Sequence, residues 1–173
     1  MKKLLASSLA VAALGAGAVA ASSPADTTAA ATTRITGHGV GKVKLHATYT
    51  VLRLHGLVGK IGPGCELGGP NTRSAKLKAP VQGFVNFTLK NPRKVTDITI
   101  TGGATAKGVE VGDTLADIHA TFPHATDDHS TDDTFGATLV RVPRSDGGKI
   151  MFAVDTTTNK ITQIGVPTIG FCE

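Results

Sequence analysis

The sequence predicts an α+β fold built from two tandem β-α-β-β-β units, with short helices packed on antiparallel sheets. Three observations predict it. "VKLHATYTVL" (Val43 to Leu52) and "VEVGDTLADI" (Val109 to Ile118) share one pattern 66 residues apart. Later apolar blocks recur in the same order. The segments after each helical stretch alternate apolar and polar with the period of a half-buried strand. Ordered self-similarity of this kind is the mark of an internal repeat.

Each unit opens on a short strand, Val43–Leu45 or Val109–Val111. Thr48 and Thr114 follow where a helix needs an N-cap, a side-chain oxygen that accepts from an orphan backbone N–H. Asp117, three residues after Thr114, completes a capping-box pattern. Leu115, Ile118 and Phe122 fall on one helical face, and Pro123 stops the helix. In the first unit Tyr49 and Leu52 hold that face, and Gly56 ends it. "AKLKAP" (Ala75 to Pro80) matches "TLVRVP" (Thr138 to Pro143). Val85, Phe87 and Leu89 match Ile150, Phe152 and Val154, and Val95, Thr96, Ile98 and Ile100 match Ile161, Thr162, Ile164 and Val166. The last strand of each unit breaks alternation at the same place, which predicts a shared bulge or strand start. "KNPR" and "DTTTN" supply turn residues for the two hairpins.

The remaining chain divides by composition. Lys2 and Lys3, the apolar run Leu4 to Ala20 and the small residues Ala18-Val19-Ala20 predict a secretory signal peptide over 1–20. Residues 21–36, rich in Ala, Thr and Ser, read as a disordered linker. The units then span 37–107 and 108–173. No later stretch is long and apolar enough to span a membrane, so the mature chain is expected to carry no transmembrane anchor and to be secreted. In an oxidising compartment Cys65 and Cys172 are expected to form one disulfide.

The "V-x-V-G-D-T-x-x-D-I" stretch of Val109–Ile118 resembles tandem helix–sheet modules of small exported bacterial proteins. "KIGPGCELGGPNTRSAKLKAP" resembles an uncharacterised secreted family of actinobacteria. In layout the chain more distantly resembles the tandem-repeat β-lactamase inhibitor protein family and modules of the SmpA/OmlA type. Its cysteines stand at non-equivalent positions in the two units, and no inhibitory residue carries over.

Charge separates the units. From Arg34 to Lys107 twelve basic residues face two acids, Glu66 and Asp97; from Gly108 to Glu173 four basic residues face ten acids. Either the charges of the two halves partly neutralise across their seam or lie in solvent, or the first half presents Arg53, Lys60, Arg73, Lys76, Lys78, Lys90, Arg93 and Lys94 to an envelope polyanion. Nucleic acid is not an expected partner, because few aromatics interleave with the bases.

"HATDDHSTDD" (His124 to Asp133) is the densest polar cluster and reads as a loop. His124, Asp127, Asp128 and His129 are weak metal candidates, since their spacing matches no established site. Ser74, Ser130 and Ser145 lack a nucleophile context. No catalytic residue and no cofactor is expected. The sequence therefore predicts a secreted, non-enzymatic binding protein, with a polyanion binder as the first alternative and a small hydrolase at His124, Asp127 and His129 as the second.

Overall fold

The computed structural model describes residues 32–64 and 72–171. The expected signal peptide, most of the linker and both cysteines of the expected disulfide lie outside the described residues. The described chain is α+β. Its elements run β1 (Thr33–Thr36), β2 (Gly39–Val40), β3 (Val43–Lys44), α1 (Tyr49–Leu54), β4 (Gly62–Pro63), β5 (Arg73–Lys76), β6 (Gln82–Phe87), β7 (Val95–Gly102), β8 (Ala104–Thr105), α2 (Leu115–Thr121), β9 (Thr126–Asp128), α3 (Asp132–Phe135), β10 (Ala137–Pro143), β11 (Lys149–Asp155) and β12 (Ile161–Val166).

The sequence expectation is corrected in three places. Thr33–Thr36, placed in the linker, is strand β1, because its backbone pairs on both sides: antiparallel with β2 and parallel with β8. Val109–Val111 is not a strand; Val109 makes one bridge, to Ala106. His124–Asp133 is not one loop. It contains β9, paired with β10, and the start of α3, whose end is closed by Gly136 in the left-handed region.

Two meanders, β5-β6-β7 and β10-β11-β12, join edge to edge in one eight-stranded sheet of order β4-β5-β6-β7-β12-β11-β10-β9. The seam is the antiparallel pair β7–β12, with Ile98 opposite Val166 and Ile100 opposite Ile164. A four-stranded sheet, β3-β2-β1-β8, stands beside it. Both third strands carry the expected irregularity. The register shifts between Asn86 and Phe87 against β7, and between Ala153 and Val154 against β12. Thr96 and Thr162 are the residues the partner strands skip. The pairing corrects the middle of the alignment by two residues: Val85 lies opposite Ile98 as Phe152 lies opposite Ile164. A slip of two keeps every side chain on its own face, so the apolar pattern cannot register it.

The helices begin alike. Thr48 and Thr114 are both N-caps in extended conformation, and each bridges the residue before the last strand, Lys94 or Lys160. Val95 donates to the Ala47 carbonyl as Ile161 donates to Asp113, both in bonds of 2.8–2.9 Å. His46 and Gly112 stand at the same place in this frame, and both have positive φ, 65° and 101°. Only α2 adds the full capping box through Asp117.

One face of the large sheet is the core. Val85, Ile98, Ile100, Ile150, Phe152, Ile161, Ile164 and Val166 pack there with Leu52 of α1 and Ile118 of α2, all nearly inaccessible. Two short helices could not stand alone; their burial on the sheet holds them. Tyr49 meets Phe87 edge-on at 5.5 Å, and Phe122 meets Phe152 at 5.9 Å. The second face carries a smaller cluster, Ala137, Leu139, Ala153 and Ile169, with Met151 and Phe171 beside it. Ile169 reaches it because the chain turns back after β12. A Cβ at Gly165 would lie 2.3 Å from the Thr168 carbonyl, so this return needs glycine. Among the described residues no helix is long and apolar enough to cross a membrane.

Candidate functional site

The expected basic residues lie along the β4–β5 side and both ends of the first meander. Arg73 opens β5, and Lys90, Arg93 and Lys94 lie in the β6–β7 turn, at the same end of the ladder because Arg73 pairs with Phe87. Lys76 closes β5 opposite Phe84, and Lys78 follows it, hydrogen-bonded through its backbone to the Leu57 carbonyl. Leu77 between them is buried, so the two lysines are turned outward by strand alternation. Arg53 is on exposed α1 and donates to the Val58 carbonyl at 3.3 Å. Lys60 is exposed in a loop that Tyr49 fixes: its hydroxyl accepts from Ile61 N–H at 3.1 Å and donates to the Gly59 carbonyl at 3.4 Å.

Four ion pairs occur among the described residues. They are His38–Asp146, His119–Asp127, His129–Asp132 and Arg141–Asp128. None uses a lysine or arginine of the first half. Among the described residues the one ion pair that joins the halves, His38–Asp146 at 3.5 Å, uses a histidine. The acid of this half that is described, Asp97, is turned to the second face. It accepts from Asn86 Nδ2 at 2.8 Å and from Thr96 Oγ1 at 2.9 Å. Burial pushes its carboxyl above the usual range, partly opposed by those two bonds.

The weak metal candidates are taken by separate partners. His124 lines a small cavity of about 230 Å³ with Phe122, Pro123, Val142 and Arg144. Asp127 holds His119 Nε2 at 3.0 Å. Asp128 accepts from Ser130 N–H at 3.0 Å and pairs with Arg141; the Ser130 hydrogen bonds, then Arg141, lower its carboxyl. His129 Nδ1 meets Asp132 at 2.9 Å, and that hydrogen bond raises the imidazole above its usual range. Thr138 Oγ1 donates to the other Asp132 oxygen at 2.9 Å. Among the described residues no three or more His, Cys, Asp or Glu side chains converge to hold a metal ion.

Sequence reasoning missed the His119–Asp127 pair. It depends on where β9 docks on β10, and nothing in the spacing of the two residues shows that. Also missed was a groove of about 440 Å³ on the second face, lined by Thr126, Arg141, Pro143, Lys149, Met151, Pro167 and Thr168 among others. The alternation of β10 and β11 marks Arg141, Lys149 and Met151 as facing away from the core, but the wall made by the returning chain is visible only in three dimensions.

No family model matches the chain, and no curated protein matches it. Among solved structures, an extracellular protein containing a SCP domain from Bacillus anthracis str. Ames is similar at 14% identity with a TM-score of 0.44. The match covers 70% of this chain and 43% of that one, so the chain spans less than half the length of that protein. A likeness this loose assigns neither activity nor ligand.

Proposed function

We propose that the protein is an exported, non-enzymatic binding module, and that its basic first half holds a polyanion of the cell envelope. The observation that carries this reading is the unpaired charge. Among the described residues the lysines and arginines of Arg34–Lys107 have no carboxylate within ion-pair distance, and they sit on α1, on β5 and in the turns of the first meander. A surface with an excess of one sign favours binding a partner that supplies the other.

We further propose that the two halves descend from one duplicated β-α-β-β-β unit. The paired N-caps, the two equivalent bulges and the recurring bonds of His46 and Gly112 support it. On that reading the copies retained a frame and diverged in charge, which leaves one of them free to specialise.

The test is retention of the mature chain on immobilised lipoteichoic acid across a salt series. Polyanion binding weakens linearly in log salt as counterions are released. Lys76→Glu, Lys78→Glu, Lys90→Glu and Lys94→Glu together are expected to abolish retention at about 0.1 M salt, where surface charges still act over about 10 Å. Retention unchanged by these four substitutions, or insensitive to salt, would overturn the reading.

A further inference from the structure

We propose that the groove on the second face of the sheet, in the acidic half, binds a small organic anion with an apolar body and a single carboxylate-like head. This site is independent of the basic surface. Its floor is Met151, half-buried on β11 beside Gly165 of β12. Pro143 and Pro167 form apolar walls, and buried Val142 and Ile150 lie beneath. Because Gly165 has no side chain, the returning Thr168–Ile169 backbone packs directly on β12 and sets the Pro167–Thr168 wall beside Met151. The groove's volume, about 440 Å³, falls in the range of small-ligand sites.

The charges at the rim decide the ligand's sign. Ten acids crowd this half of the sequence, yet the groove is lined by two cations and no carboxylate. Arg141 is paired with Asp128, which lies outside the lining and holds the guanidinium in place. Lys149 has no ion-pair partner among the described residues. The rim therefore carries one uncompensated positive charge beside an apolar floor, with the Thr126 and Thr168 hydroxyls as further polar groups. A neutral apolar ligand would leave that charge unused, and a dianion would exceed it. An apolar monoanion matches both features.

Decanoate, below its micelle concentration, is the probe, with 1-decanol as its neutral counterpart and butanoate and hexanoate as shorter analogues. Titrations are followed by amide chemical shifts of the mature chain. Expected shifts centre on Thr126, Arg141, Lys149, Met151 and Thr168. Affinity should rise about twofold to fourfold per added methylene until the groove is full. Lys149→Gln should weaken decanoate about threefold to fivefold without changing decanol, and Lys149→Arg should restore it. Met151→Gln, whose fold the same spectra check, should weaken both ligands. Equal affinity of wild-type protein for decanoate and decanol would overturn the anionic head. Shifts centred elsewhere, or a flat chain-length series, would overturn the site.

Discussion

Asp97 shows how one residue sets a pH dependence. Its carboxyl is raised because burial penalises the charged form more than Asn86 and Thr96 favour it. A raised folded-state value means that its contribution to stability is fully present below the ordinary carboxyl range and is lost as pH rises through the raised one. Asp97→Asn keeps an oxygen for Asn86 and removes the buried charge. The variant is expected to be more stable than wild type at pH 7 and to converge with it in acid, as read from urea midpoints between pH 3 and 7. A less stable variant at pH 7 would show that the ionised carboxylate is the preferred partner. At this scale the sequence was partly legible. The two repeated stretches can be aligned so that His46 meets Gly112, and the backbone shows what they share, a positive φ that glycine adopts freely and histidine adopts under constraint.

The caps differ in strength between the two helices. Thr114 accepts from Asp117 N–H while Asp117 accepts from Thr114 N–H at 2.8 Å, closing a reciprocal box. Thr48 accepts only from Val51 N–H, at 3.4 Å, and has no acid three residues on. Thr114→Ala is expected to cost about 1 kcal/mol and Thr48→Ala clearly less. Chemical denaturation of both variants checks the order; equal losses would mean that the box adds nothing. Caps and helix faces were legible because they are written within a few residues, as Leu115, Ile118 and Phe122 show. Pairing was less legible. The two-residue offset of Val85 against Phe152 leaves the apolar pattern intact, and β9 and α3 arise from a polar stretch whose strand is defined by pairing with β10.

Across the whole molecule, the first and second halves meet at the β7–β12 seam and again where two turns touch. Gly37, before β2, and Gly148, before β11, approach so closely that a Cβ on either would lie within 2.8 Å of the other's backbone. Gly148→Val is expected to cost about 1–3 kcal/mol by overpacking. It should also loosen the nearby His38–Asp146 contact, so that the loss is smaller in a variant whose His38 is already replaced. Calorimetry of the single and double variants reads both effects; an unchanged melting temperature would place no strain at this contact. The sequence showed the charge division between halves but could not show whether opposite charges meet, because that depends on which edges join. The joined sheet has two outer strands, β4 and β9, of two and three residues. One ends in Pro63, which offers no N–H, and the other carries Asp127 and Asp128. A sheet this wide is a template for growth wherever its border is long and flat; short borders carrying a proline and acids deny a second copy the row of donors and acceptors it would need. On its described borders the eight-stranded sheet is therefore expected not to extend edge to edge into fibres when the protein is concentrated.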